Sequence, residues 1–594
     1  MPRTRPPERP PRPGPGAGAA AVSNADIAAV FEEIANLLEL EEQNPFRIRA
    51  YRNAARTVLG FAPDIAALLG SGQALPKLPG IGEDLAAKIG EIVQTGSCAL
   101  RERLRKEVPP VLVDLLSIPG LGPTRVRHVY HELGVQTPQQ LYAAAKDGRL
   151  GKLHGFGARL QEKLLQAAGA RLQGGRRFPL AAVAPAAEKL AEYLRRAPGV
   201  AEVTVAGSFR RMRDTVGDLD ILAAAQASEE LMRHFQAYPE VAEVLASGPA
   251  RASVVLRSGL QVDLRAIEPQ AYGAALVYFT GSKAHNIAIR KRAQERGFKL
   301  SEYGVFEGSR RIAGRTEDSV YGALGLAPVP PELREDRGEI EVAARGRLPH
   351  LVERADLRGD LHAHTRASDG FNTLEEMAQA ARAAGLEYLA ITDHSQRLKV
   401  AHGLDAAALR RQGAEIDALN RRLRGITLLK GIEVDILENG DLDLPDEALA
   451  QLDLVVGAVH SYFDLPRARQ TRRLLRAMEH RRFAILAHPT GRLIGEREGI
   501  DVDMPAVIEA ARARGCCLEL NAQPQRMDLF DLHCRAASER GVPVCVSTDA
   551  HRTGDFDNLR YGVGQARRGW LEKKDVLNTR PLAELRHFLK RCMR

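Results

Sequence analysis

The chain has 594 residues, too many for one hydrophobic core, so several domains are expected. Its net charge of +9 suits a polyanionic partner, although charge alone does not separate that from a merely basic soluble protein. The six cysteines contain no CxxC pair, which argues against a disulfide framework and fits a reducing cytoplasm; no run approaches the ~20 apolar residues of a membrane span.

Residues 1–22 carry Arg, Pro and Gly without the apolar centre of a signal peptide, and a disordered basic tail is expected there. Residues 23 to about 170 read as helices cut by Gly-Pro turns, dividing at residue 98 into two helical domains, 23–98 and 99–172. Three segments look alike: LPGIGEDLAAKI (78–89), IPGLGPTRVRHV (118–129) and LHGFGARLQEKL (153–164). Each runs from an apolar residue through GxG into a helix, the helix-hairpin-helix pattern. One copy would be a simple turn between packed helices. Three copies, with Lys or Arg in the following helix, favour sequence-independent binding of the DNA backbone, because N–H groups at a helix start face a phosphate. The glycines concerned are Gly80, Gly82, Gly120, Gly122, Gly155 and Gly157. The third copy has His154 where the others have Pro.

Residues 173–270 mix helices with alternating strands, and residues 271–328 complete that region. Within it, GSFRRMRDTVGDLDIL (207–222) sets Asp218 and Asp220 two apart on a strand, so both carboxylates leave one face. A later strand, QVDLRAI (261–267), brings Asp263. Three carboxylates suit two Mg²⁺ (or Mn²⁺) ions, an arrangement that supports in-line phosphoryl transfer. Gly207 and Ser208 open a turn suited to cradling phosphates, Arg211 adds charge, and Gly217 precedes the acidic pair. An acidic pair alone is usually solvated surface; the added GS, Arg and strand Asp make the motif specific. Residues 329–350 are Pro-rich and then charged, and are expected to be an interdomain linker.

From 351 to 594, short apolar runs end in His or acidic residues: GDLHAH, LAITDHS, LLKGIEVD, LVVGAVHS, FAILAHP and VCVSTDAH. Such runs are buried strands, and their C-terminal ends are where a (β/α) barrel keeps its active site. They deliver His362, His364, His394, Glu433, His460, His488, Asp549 and His551, with Asp369 just after the first. A lone His after a strand is usually a satisfied polar residue. Here ten of the sixteen His follow residue 350, and six of those ten fall in the series. Nine imidazole and carboxylate ligands suit two to three Zn²⁺, Mn²⁺ or Fe²⁺ ions.

This C-terminal set resembles the polymerase and histidinol phosphatase (PHP) family of metal-dependent phosphoesterases, over roughly residues 355–575, with all nine ligand positions filled. The resemblance implies a distorted seven-stranded (β/α) barrel. Residues 23–328 resemble a family X DNA polymerase of the nucleotidyltransferase superfamily. The likeness rests on NPFRIRAYRNAART (44–57), the first two hairpins, the GS…DLD motif and VYFTGSKAHNIAIRKRAQERGF (277–298). It implies that Tyr278, Phe279, Thr280, Gly281 and Ser282 line the deoxyribose and help exclude a ribose 2′-OH. It also implies that Asn286 and Arg290 lie near the nascent base pair, and that Arg265 is the companion of Asp263. Lys88 matches the family's Schiff-base lysine for abasic sugars, but Asp84 one turn before it opposes an unprotonated amine, and a phosphate-binding role is equally open.

The whole chain is therefore expected to combine helical hairpin domains, an α+β nucleotidyltransferase palm and a C-terminal (β/α)7 barrel. The resemblance implies a DNA polymerase filling short gaps in repair, with 3′–5′ exonuclease, 3′-phosphodiesterase or abasic-site endonuclease activity in the barrel. Expected partners are gapped or nicked DNA and deoxynucleoside triphosphates, with no membrane; a cytoplasmic, nucleoid-associated monomer is expected, and although no coiled coil is visible the sequence leaves the oligomeric state open. Two other functions fit part of the sequence. A DNA-binding phosphoesterase with an inactive polymerase core is opposed by the complete Asp218/Asp220/Asp263 set. A small-molecule phosphatase is opposed by the three hairpins.

Overall fold

The computed structural model describes residues 24–593 apart from 42, 61–64, 71–73, 77, 79, 109–111, 113, 114, 117, 119, 120, 154, 175, 176, 226 and 227. The expected basic tail, Gly120 and His154 thus lie outside the described residues. The chain divides into two units, Met1–Arg176 and Arg177–Arg594.

The first unit is helical. Ile27, Phe31, Ile34 and Leu38 recur at helical spacing along Asn24–Leu40 and are fully buried, and Phe31 meets Tyr51 of Pro45–Gly60 edge to face at 5.8 Å. The three hairpins share one hydrogen-bonding scheme. The N–H groups of Ile81, Leu121 and Phe156 donate to the carbonyls of Leu78, Ile118 and Leu153 at 3.1, 3.0 and 3.1 Å. The second glycine of each pair then accepts the first bond of the helix, from Ala86, Val126 and Gln161. Among the described residues, a Cβ at Gly82, Gly122 or Gly157 would meet nothing within 4 Å, and Gly82 and Gly122 have ordinary φ of −83° and −84°. The bare helix starts leave room for close approach of another molecule.

The second unit begins with a five-stranded sheet. In spatial order its strands are Val200–Val205, Asp218–Ala225, Gln261–Ile267, Arg251–Leu256 and Val241–Ser247. Asp218–Ala225 and Gln261–Ile267 run parallel and set Asp220 directly beside Asp263. Helices Tyr272–Thr280 and Lys283–Glu295 follow, then a three-stranded antiparallel sheet of Lys299–Ser301, Gly304–Glu307 and Arg310–Ala313.

Residues 329–350 are not the free linker that their Pro and charge suggest. Val329, Leu333, Ile340 and Ala343 are buried in one apolar cluster with Val277, Ile289 and Val320. Their charged neighbours are buried because they are paired. Arg334 Nη1 meets Glu317 Oε1 at 2.7 Å, and Glu339 Oε1 meets His285 Nδ1 at 2.7 Å. Glu317 is also bound by Arg210 Nη2 at 2.7 Å. Burial pushes the Glu317 carboxyl up, but the bond from Arg210 and the charge and bond of Arg334 outweigh it and set it at about 2. A carboxyl depressed in the folded state stabilises that state above its unfolded value, and the contribution is lost as pH falls through the folded one. Glu317→Gln is therefore expected to destabilise this unit by about 3 kcal/mol at pH 7. Thermal melts should show the deficit shrinking as pH falls from 5 toward 2; a constant deficit across that range would count against the ion pairs as its source.

The C-terminal part of this unit is a barrel of seven parallel strand segments: Gly359–Asp360, Tyr388–Ile391, Thr427–Lys430 continued by Glu433–Asp435, Val456–Ala458, Ile485–Leu486, Cys517–Asn521 and Val544–Ser547. A parallel bridge between Ala363 and Ala550 joins the last segment to the first, and one between His394 and Glu433 joins the two sheets. The strands are short and almost fully buried, as a parallel sheet covered by helices requires. Among the described residues no helix is long and apolar enough to cross a membrane.

Candidate active sites

In the palm-like sheet, the Asp220–Asp263 register brings three carboxylates together, with Asp218 two residues before Asp220 on the same face. Ser253 Oγ donates to Asp263 Oδ1, and Gln261 Nε2 donates to Oδ2 at 3.4 Å. Burial, then the charges of Asp218 and Asp263, push the Asp220 carboxyl up to about 7; Asp218 is raised by burial and Asp263. Carboxylates crowded this closely hold their charge comfortably only around a cation, so the residues fit divalent metal. Gly207 shows how tight the site is: its φ is +61°, and a Cβ there would sit 2.7 Å from Asp220 Oδ2. It opens the short helix Gly207–Arg210, which carries Ser208. Gly217 lies just before the acidic strand.

The expected sugar-lining segment lies across from this helix. Arg211 Nη1 donates to the Thr280 carbonyl at 2.5 Å, and its Nε meets Glu335 Oε1 at 3.1 Å. A Cβ at Gly281 would meet that guanidinium at 3.1 Å. Ser282 caps Lys283–Glu295 by accepting from His285 N–H. Asn286 Nδ2 donates to the Tyr278 carbonyl at 2.6 Å, leaving its buried Oδ1 without a partner. Arg265 stacks on Phe279 at 4.5 Å and Arg290 on Tyr278 at 5.0 Å.

The barrel gathers eight of the nine expected ligands into close groups, Asp369 coming from the loop after the first strand, and sets the ninth, His488, 2.9 Å from Glu433. Three ligand groups emerge: His364, Asp369, His394 and His551; His362, His364 and Asp549; and His394, Glu433 and His460. Glu433 is central. Its Oε2 lies 2.7 Å from His394, 3.5 Å from His362 and 3.6 Å from His364, and its Oε1 lies 2.9 Å from His488 and 3.2 Å from His460. Despite these close approaches, several buried atoms of this set make no well-aligned hydrogen bond among the described residues: His362 Nε2, both His364 nitrogens, His394 Nδ1, His460 Nε2, His488 Nδ1 and Glu433 Oε2. Burial should keep imidazoles neutral, yet the Glu433 and Asp369 carboxylates hold His394 up to about 10, and Asp369 and Asp549 hold His551 up to about 9. His364, more burdened by burial and by its neighbours His551 and His394, falls to about 3. Such a donor set asks for positive charge and fits divalent ions. His488 and Asp549 take left-handed backbone (φ 26° and 53°), local strain of the kind stored at functional sites.

Residues behind the ligands fix their orientation. His362 Nδ1 bonds Glu519 Oε1 at 2.7 Å, while Glu519 Oε2 accepts from His488 N–H at 2.8 Å. His460 Nδ1 bonds Asp435 Oδ1 at 3.2 Å, and Asn521 Nδ2 donates to Asp549 Oδ2 at 3.1 Å. The sequence reading did not single out these residues. Asp435 carried a signal, standing two after Glu433 on one strand; Glu519 carried none.

Family models agree with this layout. The DNA polymerase beta thumb model matches residues 275–335, and the PHP domain model matches 360–522. A helix-hairpin-helix domain matches 22–98, and a SAM-like helix-hairpin-helix tandem matches 112–170. The DNA polymerase/3′-5′ exonuclease PolX of Bacillus subtilis (strain 168) is 40% identical over 570 residues, covering 95% of this chain and 99% of that protein. This chain belongs to the bacterial family X DNA polymerases with a PHP domain. Probable phosphatases of Thermoanaerobacter sp. (strain X514) and Acetivibrio thermocellus are 28% and 30% identical, but they cover only 39% and 34% of this chain, and 94% and 83% of themselves. Asp549 and His551 lie beyond the PHP model's match, and the barrel's closing strand carries them to the site.

Lys88, matched by resemblance to the family's Schiff-base lysine, lines a 690 Å³ cleft with Arg47, Glu91 and Arg103. Burial pushes the amine down, but its bond to Asp84 and the charge of Tyr51 raise it above the ordinary lysine value. A Schiff base needs the unprotonated amine. Borohydride trapping on incised abasic DNA is therefore expected to be slow or undetectable. Efficient trapping that is lost in Lys88→Ala would restore the lyase role; trapping that persists there would place the amine elsewhere.

Proposed function

We propose that this family X polymerase fills short gaps during DNA repair and processes 3′ ends with its barrel. The observation that supports this reading best is the strand register that sets Asp220 beside Asp263, in a chain whose barrel also groups eight of the nine expected metal ligands closely enough to share ions. In this reading Asp218, Asp220 and Asp263 hold Mg²⁺ or Mn²⁺. Ser208 and Arg211 take the triphosphate. Tyr278, Phe279 and Gly281 line the deoxyribose, and Asn286 and Arg290 reach the nascent pair. The barrel ligands hold two or three Zn²⁺, Mn²⁺ or Fe²⁺ ions, and its activity is 3′–5′ exonuclease, extending to 3′-phosphodiester or abasic-site cleavage. When bound, divalent ions neutralise phosphate charge and activate the attacking oxygen. The helix starts at Gly82, Gly122 and Gly157 grip DNA phosphates, and Lys88 grips a 5′-phosphate.

Primer extension on DNA with a gap of one to a few nucleotides tests the reading. The full chain is expected to insert complementary nucleotides up to the downstream end and to lose binding steeply as salt rises. Failure to insert with either Mg²⁺ or Mn²⁺, alongside intact 3′-end degradation, would leave only the phosphoesterase.

A further inference from the structure

The turn after the short helix Gly207–Arg210 is gripped by the barrel. Arg568, only 3% exposed, closes helix Leu559–Arg568. Its Nη1 donates to the Arg211 carbonyl at 2.7 Å and to Glu335 Oε1 at 2.9 Å, and its Nη2 donates to Asp531 Oδ2 at 2.8 Å. The same Glu335 oxygen accepts from Arg211 Nε, so one carboxylate links the two guanidiniums. Three residues earlier, Gln565 Nε2 donates to the Met212 carbonyl at 2.8 Å. Met212 packs so closely on the same helix that a Cβ at Gly564, next to Gln565, would sit 2.4 Å from Met212 Cε. Arg492 Nη1 donates to Asp214 Oδ2 at 2.9 Å.

These contacts hold a turn whose own backbone does not favour its conformation. Met212 takes left-handed backbone (φ 54°), a conformation that costs a non-glycine residue free energy unless its surroundings fix it. Gln565 and Arg568 are not among the barrel's metal-site residues, whereas Arg492 also holds the Arg526 and Met527 carbonyls within the barrel. What they fix is the backbone from which the Arg211 guanidinium reaches the Thr280 carbonyl, beside Gly281. A cation pinned in both backbone and side chain loses little freedom on taking a phosphate.

We propose that Arg568, supported by Gln565, is a positioning residue for nucleotide insertion: the C-terminal domain braces the turn that aims Arg211 at the phosphates of a nucleoside triphosphate. The proposal rests on the assignment of Arg211 to the triphosphate. The expectation is a defect in nucleotide affinity, not in the chemistry of either metal site. Single-nucleotide insertion into a one-nucleotide gap should be measured with the full chain and its Arg568→Gln, Arg568→Lys, Gln565→Ala and Arg211→Ala variants, with melting temperature and 3′–5′ exonuclease rate as references. Arg568→Gln should raise the KM for the nucleotide about 10-fold, with kcat within about 3-fold and exonuclease unchanged. Arg568→Lys should recover part of that loss, and Gln565→Ala should raise KM about 3-fold, which keeps the test open if Arg568→Gln does not fold. An unchanged KM in folded Arg568→Gln or Gln565→Ala, while Arg211→Ala raises it, would overturn the brace and leave the Arg211 assignment standing. An unchanged KM in Arg211→Ala would overturn that assignment and the brace with it.

Discussion

Asp263→Ala is expected to lower nucleotide insertion by at least about 10³-fold while leaving DNA binding close to normal. In phosphoryl transfer the protein contributes mainly position and charge neutralisation, so one lost carboxylate removes a ligand that no neighbour replaces. Asp263 is buried, and among the described residues its carboxylate accepts from the Ser253 hydroxyl and the Gln261 amide. Ala leaves those two donors without this acceptor. The fold should tolerate the change. Burial, and then the charges of Asp218 and Asp263, raise the Asp220 carboxyl, so removing one acidic group relieves repulsion while sacrificing activity. Insertion kinetics on gapped DNA with a melting curve check both halves. Near-normal insertion by a folded variant would take Asp263 out of the mechanism.

Glu433→Gln is expected to lose bound transition metal and to slow 3′-end degradation by about 10²–10³-fold. The substitution keeps shape and removes charge at the one carboxylate whose two oxygens lie among five imidazoles. His362→Ala should have a similar effect, because Glu519 holds that ring in place for the same cluster. Insertion should survive both changes, since the Asp218/Asp220/Asp263 set draws on none of the barrel residues. Metal content by elemental analysis, read beside both activities, checks the outcome. Full metal occupancy in Glu433→Gln would show that this carboxylate is not a ligand.

Much of this arrangement was legible in the sequence because period and position translate directly into geometry. Period-2 spacing set Asp218 and Asp220 on one face, and strand-end His residues met because a parallel barrel gathers those ends on one rim. The Lys88–Asp84 pair followed from helical i,i+4 spacing. Other features depend on partners distant in the chain. Residues 329–350 read as a linker because Pro and charge usually mark exposed segments, but Arg334 and Glu339 find Glu317 and His285 only in the folded unit. Glu519 stands in an apolar run with no adjacent His to suggest its bond to His362. The bond from Gln565 to Met212 joins residues more than 350 positions apart, and nothing local in either segment announces it.

In the proposed function one chain carries two chemically separate sites, one building DNA and one degrading it. The most direct test is a single reaction containing gapped DNA, deoxynucleoside triphosphates and Mn²⁺, run with the wild-type chain, Asp263→Ala and Glu433→Gln. Asp263→Ala is expected to shorten the primer without extending it, and Glu433→Gln to extend the primer without shortening it. Loss of both activities together in either folded variant, or retention of both in each, would contradict it.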